Sequence, residues 1–202
     1  MSGRVMTSDE VVSEILQDKV FYRRSSGGVT LSGGEPSAQP EFAGDILRKC
    51  RERGIHTAIE TCGHSSWETM AKVLHYTQLV YLDIKHMNPD EHVKLTGRSN
   101  DLIVRNAEKI FQLANEGRLD VVVRFTCVPG YNDSKENIAE AAEFLAKSKA
   151  KRVELLRYHE LGVPKYAVLE KEYKLEDLKV NEEHLNDLSE ITRSHGLDCQ
   201  IF

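Results

Sequence analysis

The sequence predicts a parallel α/β fold, and three observations support this prediction. Short apolar runs alternate with amphipathic segments along the whole chain, which is the pattern of βαβ units. Five strand-like runs precede a sixth, terminal one. No linker, low-complexity tract or internal repeat interrupts the 202 residues, so we expect one domain over 1–202. Right-handed crossovers would then form either an open or partial barrel or a doubly wound sheet.

The individual elements follow from capping signals and apolar periodicity. Two capping boxes mark helix starts, Thr7 with Glu10 and Ser65 with Glu68, and Gly54 marks a helix end. Runs rich in apolar and β-branched residues predict strands over 29–31, 56–61, 79–85, 120–127, 152–159 and 197–202. Amphipathic segments predict a helix from Thr7 onward and helices over 41–53, 65–76, 89–95, 101–116, 133–147 and 181–194, with an irregular stretch after residue 159.

Composition and charge narrow the function classes. The net charge of −5 and the pI of 5.9 do not favour nucleic acid as a partner. No apolar run approaches the ~18 residues of a membrane span, and no signal-peptide pattern is present, so we expect no membrane association. The four cysteines lie far apart, which is typical of a reduced protein, and we expect a cytoplasmic location.

Polar residues collect where the predicted strands end. In parallel α/β folds, ligands bind at the C-terminal ends of the strands. The candidate residues are Ser32, Gly33, Gly34, Glu35, Glu60, Thr61, Asp83, Ile84, Lys85, Arg124 and His159. One ionisable residue at a strand end is common, whereas five strand ends with such residues favour a common ligand site.

The run from Ser32 to Glu35 is the most informative of these strand ends. Two glycines let backbone N–H and C=O groups approach a ligand that a Cβ atom would hold off. A carboxylate beside them can accept hydrogen bonds from an ammonium group. This chemistry suits a small zwitterionic ligand, such as the methionine half of a cofactor, although a β-turn with a capping Ser or Glu explains the same residues.

The other candidates also have structural explanations. Asp83 and Lys85 share a strand face, so they form either an ion pair or part of a site. Arg124 either meets a carboxylate of a ligand or pairs with Glu60 or Asp83. His159 either contacts a nucleoside or is an ordinary half-buried histidine.

Two further hypotheses concern metal ions, one with oxygen ligands and one with thiolate ligands. Glu60 and Thr61 offer hard oxygen atoms for a monovalent cation or a ribose, or they cap the next helix. Cys62 and Cys127 lie near strand ends, but we do not expect a two-thiolate metal site there.

Six motifs in fixed order resemble one family. They are GRVMT (3–7), SSGGVTLSGGEP (25–36), GIHTAIETCG (54–63), LDIK (82–85), VPGYND (128–133) and YHELG (158–162). Together they resemble the glycyl radical enzyme activating enzymes, such as the activating enzyme of pyruvate formate-lyase, over essentially the whole chain. The resemblance implies a partial parallel (β/α) barrel of the radical S-adenosylmethionine type. It also implies reductive cleavage of S-adenosylmethionine to a 5′-deoxyadenosyl radical, which takes a hydrogen from a backbone glycine of a partner enzyme.

The resemblance also implies roles for the matching residues. The motif at 32–35 matches the one that binds the methionine amine of the cofactor. Asp83 and Lys85, with Ile84 between them, match strand residues that contact the cofactor, and Lys85 would meet its carboxylate. His159 matches a histidine beside the adenosyl group, and Arg124 matches an arginine near substrate or cofactor.

A monovalent cation is implied by the same comparison. Glu60, Thr61 and Asp83 match the cation site, although some members have Asp where this chain has Glu60. Arg157 stands where many members have proline, a change that should alter the backbone but spare His159.

The chief departure from the family is an absence. The defining Cys-x-x-x-Cys-x-x-Cys motif, which holds three irons of a [4Fe–4S] cluster, lies upstream of the motif at 3–7, and none of the four cysteines here has that spacing. We therefore expect an N-terminally truncated barrel that lacks its first strand and the cluster cysteines. Alone, it should perform no radical chemistry.

The implied partners are a glycyl radical enzyme, whose glycine loop is the substrate, and a flavodoxin- or ferredoxin-type reductant. Loss of the first strand would leave the edge at 29–31 either open, which permits self-association, or covered by the N-terminal helix. Two other classes stay open: a non-catalytic binding protein that keeps the pocket, and a conventional barrel lyase or aldolase that uses Lys85 as a Schiff-base nucleophile.

Overall fold

The structure, a computed structural model, describes residues 4–160, 163, 166, 170, 172–173, 175 and 178–202. In this part of the chain, six strands alternate with eight α-helices. The strands are β1 (Gly28–Leu31), β2 (His56–Thr61), β3 (Leu79–Asp83), β4 (Asp120–Cys127), β5 (Arg152–Arg157) and β6 (Asp198–Ile201). The helices are α1 (Ser8–Gln17), α2 (Lys19–Ser25), α3 (Pro40–Glu52), α4 (Trp67–Leu74), α5 (Pro89–Thr96), α6 (Asp101–Asn115), α7 (Lys135–Lys147) and α8 (Glu182–Ser194).

The strands form a parallel sheet in the order β1-β2-β3-β4-β5-β6. Each strand therefore neighbours the next one along the chain, and the winding direction never reverses. A doubly wound sheet has a point where the strand order reverses, so that alternative is wrong. The sequential order is the one that successive right-handed βαβ units of a (β/α) barrel produce.

The chain divides into two compact units. The first unit comprises Met1–Asp83 and Asp101–Val122, and the second comprises Ile84–Asn100 and Val123–Phe202. The expectation of a single domain over 1–202 stays a prediction.

The first unit has an apolar core between β1 and the helices α1 and α3. Val12, Ile46 and Cys50 are buried there, and the side chains of Val29 and Leu31 pack against them. Removing such side chains from water provides about 1.5–3 kcal/mol each, so this packing fixes which face of β1 turns inward. The other β1 side chains, and that of the next residue, Ser32, consequently lie on the opposite face of the strand.

β1 and β2 approach each other unusually closely at one position. Gly28 lies beside His56 in the parallel register, and a Cβ atom at Gly28 would stand 2.0 Å from the His56 carbonyl oxygen. No side chain fits there without moving one strand.

The core of the second unit is built on β5, β6 and α8. Val153 lies beside Cys199 and Leu155 beside Ile201 in the register of these strands. Val153, Leu155 and the α8 residue Leu188 are buried. Since successive strand residues point to opposite faces, Glu154 lies on the other face of β5.

The six predicted strands and seven predicted helices all occur in the predicted order, with corrections at their ends. Strands 56–61 and 120–127 have the predicted bounds, whereas the third and fifth strands end two residues early, at Asp83 and Arg157. The capping box at Thr7 is confirmed, because the Thr7 and Glu10 side chains each accept from the other's backbone N–H. The capping box at Ser65 is wrong: Ser66 caps α4 by accepting from the Thr69 N–H at 3.2 Å.

Two parts of the prediction have other outcomes. Helix α2 was not predicted, and the predicted irregular stretch after residue 159 lies mostly outside the described residues. Among the described residues, no helix has the length and apolar character needed to cross a membrane.

Candidate functional site

The turn after β1 exposes bare backbone to open space. Gly33 has φ of +95°, a conformation that favours glycine, whereas Gly34 is not in the positive-φ region. A Cβ atom on either glycine would meet no described protein atom within 4 Å. The peptide groups of this turn can therefore be approached closely by a ligand, and the protein core does not require that Gly34 lack a side chain.

The Glu35 carboxylate holds this turn against the end of β2. Its Oε1 atom accepts hydrogen bonds from the Ser37 N–H at 3.2 Å, the Ser37 hydroxyl at 2.9 Å and the Thr61 hydroxyl at 2.7 Å. Its Oε2 atom accepts from the Cys62 N–H at 3.1 Å and the Cys62 thiol at 3.3 Å. Both oxygens thus have protein donors, and the observed role of the carboxylate is to fix the turn. Its predicted contact with a cofactor amine stays a prediction.

Three strand ends of the first unit place polar side chains on one face. The Ser32 hydroxyl donates to the Glu60 carboxylate, which joins the ends of β1 and β2. Glu60 lies beside Tyr81 in the β2–β3 register, and Asp83 is two residues further along β3 on the same face. Ser32, Glu60 and Asp83 therefore form a polar set of one hydroxyl and two carboxylates.

Thr61 does not join that set through its side chain. It is buried, and its hydroxyl donates to Glu35 and accepts from the Gly63 N–H at 2.9 Å. Of the three residues predicted to hold a monovalent cation, Glu60 and Asp83 share a face, whereas the Thr61 hydroxyl lies on the other face of β2. The cation site itself stays a prediction.

In the second unit, the predicted residues follow β3 and lie on β4 and after β5. Ile84 is buried, and its N–H donates to the Arg124 carbonyl at 3.0 Å. Its apolar side chain therefore belongs to the core, and only its backbone can serve a ligand. Lys85 follows it, and its carbonyl accepts a hydrogen bond from the Asn132 side chain at 2.9 Å. His159 is exposed, two residues beyond β5.

Arg124 has a partner that the sequence did not suggest. Its guanidinium pairs with the Glu154 carboxylate at 2.7 Å, and the two side chains are only 24% and 18% exposed. The expected pairing of Arg124 with Glu60 or Asp83 stays a prediction. The sequence does place Glu154, like Arg124, on a predicted strand. That placement identifies the pair only when β4 and β5 are known to be neighbours in the sheet.

The thiols do not suggest a metal centre. Burial raises the pKa of the Cys127 thiol to about 12, which disfavours the thiolate that metals bind. Among the described residues, no three His, Cys, Asp or Glu side chains come together as a metal site.

Comparison with known proteins decides the family. The model of the radical SAM superfamily matches residues 2–145 of this chain. This chain belongs to the radical SAM superfamily. A solved relative, a domain of the pyruvate-formate lyase-activating enzyme from Bacteroides vulgatus, is 30% identical with a TM-score of 0.71, and the match covers 87% of this chain and 99% of that one.

Two curated relatives of this chain are activating enzymes. The isethionate sulfite-lyase activating enzyme of Oleidesulfovibrio alaskensis is 41% identical over 97% of this chain and 63% of its own length. The 4-hydroxyphenylacetate decarboxylase activating enzyme of Clostridioides difficile is 41% identical over the whole of this chain and 63% of its own length. The chain thus spans just under two thirds of these relatives. The predicted resemblance to glycyl radical enzyme activating enzymes and the predicted α/β fold of the radical SAM type are both confirmed.

The cofactor of the radical SAM superfamily is S-adenosylmethionine, used with a [4Fe–4S] cluster. The turn at Gly33 and Gly34 fits the methionine part, because it offers exposed peptide groups where a Cβ would occupy empty space. The neighbouring hydroxyl and carboxylates suit an ammonium group or a cation. The cysteine spacing that holds the cluster does not occur among the four cysteines of this chain.

Proposed function

We propose that this chain is the cofactor-binding barrel portion of a glycyl radical enzyme activating enzyme. The observation that carries the proposal is the turn at Gly33 and Gly34, whose backbone faces open space beside Ser32 and Glu60. The relatives support the proposal, because they are activating enzymes and their sequence matches cover nearly the whole of this chain.

Specific residues would bind and orient the cofactor. In the first unit, the peptide groups of 32–34 would receive the methionine amine, while Glu35 keeps the turn in place. In the second unit, the Lys85 ammonium would meet the cofactor carboxylate, and His159 would lie beside the adenosyl group. Arg124, which pairs with Glu154, would lie near substrate or cofactor. With a [4Fe–4S] cluster, S-adenosylmethionine bound by these residues would supply the chemistry for removing a hydrogen atom from a backbone glycine.

The partners and location follow from that function. The substrate would be the glycine loop of a glycyl radical enzyme, and the electron donor a flavodoxin- or ferredoxin-type protein in the cytoplasm. β1 is the first strand of the sheet order and pairs with β2, so its other edge is a candidate for self-association. Membership of the radical SAM superfamily argues against a Schiff-base lyase that uses Lys85.

A substitution at Gly34 tests the proposal without disturbing the fold. Gly34→Val should leave the thermal midpoint within about 2 °C of wild type, because the new side chain enters empty space and the backbone is unstrained. The same side chain would occupy the space in which the cofactor is expected to contact the backbone of this turn. Equilibrium dialysis with labelled S-adenosylmethionine should show binding weakened by about tenfold or more, which corresponds to one lost set of polar contacts.

Gly44→Ala provides the matched control. Gly44 is in α3, and a Cβ there makes only an ordinary contact of 3.4 Å with the Lys72 carbonyl oxygen. This variant should bind S-adenosylmethionine as wild type does. The proposal fails if the wild-type chain shows no saturable binding, or if Gly34→Val binds as tightly as Gly44→Ala.

A further inference from the structure

Three buried asparagines hold the short backbone segment that follows β3. Asn100, Asn132 and Asn137 are each 3–4% exposed. The Asn132 amide donates to the Lys85 carbonyl at 2.9 Å, and the Asn100 amide donates to the His86 carbonyl at 2.9 Å and the Met87 carbonyl at 2.6 Å. The Met87 N–H in turn donates to the Asn137 side-chain oxygen at 2.9 Å. Four backbone groups of residues 85–87 therefore bond to amide side chains.

This arrangement is unusual because the segment has neither helical nor strand structure. Buried backbone groups outside regular structure must find other partners, and each one left without a partner would cost free energy. A simple loop would satisfy them with water at the surface. Here, planar amide side chains fix the positions of the peptide groups that follow the Lys85 side chain.

Asn132 has the central place in this set. Besides Lys85, its amide donates to the Thr126 carbonyl at 2.9 Å, and its oxygen accepts from the Val128 N–H at 2.7 Å. Its own carbonyl accepts from the Asn137 amide at 2.7 Å. One buried side chain thus ties the end of β4 to the residue that carries the ammonium group.

We propose that Asn132 is a positioning residue for Lys85, which it holds where the ammonium can meet an anionic group of the ligand. This inference rests on the proposed function, in which that group is the carboxylate of S-adenosylmethionine. Asn132 does not itself touch the ligand in this scheme. Its effect on binding is transmitted through the Lys85 backbone.

A double-mutant cycle tests the transmission. Binding of labelled S-adenosylmethionine is measured for wild type, Lys85→Ala, Asn132→Ala and the double variant. Lys85→Ala should weaken binding by about 10- to 100-fold, the effect of one charge-assisted contact. Asn132→Ala should weaken it by about fivefold or more, and the double variant should bind no more weakly than Lys85→Ala, because neighbours that act through one contact are not additive.

Leu145→Ala controls for general destabilisation. Leu145 is a buried α7 residue of the same unit, so its truncation destabilises the fold, and its apolar side chain makes none of the hydrogen bonds to residues 85–87. It should leave binding unchanged below its melting temperature. Amide hydrogen exchange should be faster at Met87 in Asn132→Ala than in Leu145→Ala, by about tenfold when both are compared at equal global stability.

The outcomes separate the two claims. Additive losses in the cycle with intact wild-type binding, or equal exchange at Met87 in the two variants, overturn the positioning role and leave the proposed function standing. Absence of wild-type binding overturns the proposed function and the ligand role of Asn132 together.

Discussion

The two units hold their predicted ligand groups by different means. In the first unit, a charged carboxylate, Glu35, collects hydrogen bonds from Ser37, Thr61 and Cys62 and so fixes a glycine turn. In the second unit, neutral amides led by Asn132 fix the backbone of a lysine. The difference matches the groups that each unit would offer to the ligand. Exposed peptide groups need a fixed turn, whereas a long, flexible lysine side chain needs a fixed backbone at its attachment point.

The largest effect should come from removing the carboxylate of the first unit. Glu35→Ala leaves the Thr61 hydroxyl and two backbone N–H groups without their acceptor, and we expect a loss of about 2–3 kcal/mol in the free energy of unfolding. Urea denaturation without ligand measures it. Glu35→Gln keeps one acceptor oxygen and should lose about half as much. If Glu35→Ala is as stable as wild type, the carboxylate does not fix the turn.

A smaller effect should distinguish the two glycines of the turn. Gly33→Ala places a side chain in the positive-φ region and should cost about 1–2 kcal/mol of folding free energy. Gly34→Ala, at an unstrained and open position, should change it by less than about 0.5 kcal/mol. The same denaturation series measures both variants, and equal losses would contradict the assigned backbone difference.

The smallest effect concerns the pH dependence of a charged cluster on α3. Hydrogen bonds from the Ser8 hydroxyl, Lys49 and Arg48 lower the pKa of the Asp45 carboxyl below its usual value of 3.8. Since the folded pKa is below the unfolded one, the stabilisation is fully present above about pH 4 and is lost as the pH falls towards the folded pKa. Asp45→Asn should therefore destabilise the protein at pH 7, by less than about 1 kcal/mol for this partly exposed group, and much less at pH 2.

Asp187 of α8 offers the comparison from the second unit. Its pKa is also lowered, through its hydrogen bond with Lys135 at 2.7 Å, but it is more exposed than Asp45 and lacks the other partners. Asp187→Asn should show a weaker pH dependence in parallel denaturation curves. A stronger dependence for Asp187→Asn would mean that the number of hydrogen-bond donors does not control these shifts.

The sequence was sufficient where local chemistry decides the structure. The continuous apolar and β-branched run at Asp120–Cys127 predicts a strand with correct bounds, and Thr7 with Glu10 predicts the start of α1. Ser65 and Ser66 are adjacent candidates for the N-cap of α4. The structure has Ser66 in this position, where its side chain accepts from the Thr69 N–H.

The sequence was insufficient where a partner comes from another strand. The Glu35 contacts require the turn after β1 to lie at the end of β2, and the Arg124–Glu154 pair requires β4 beside β5. The asparagines around residues 85–87 are separated from them by up to 50 positions, so spacing alone did not reveal the set. Motif matching thus found the residues expected to meet the ligand, but not those that hold them.

The stretch from Gly28 to Gly34 contains glycines that are required for unrelated reasons. At Gly28 the neighbouring strand leaves no room for a side chain, and at Gly33 the positive φ excludes most residues. At Gly34 only a bound ligand would clash with a side chain. Selection for folding alone should therefore preserve the first two and release the third. A library of variants sorted once for abundance and once for cofactor binding would separate these demands within seven residues of sequence.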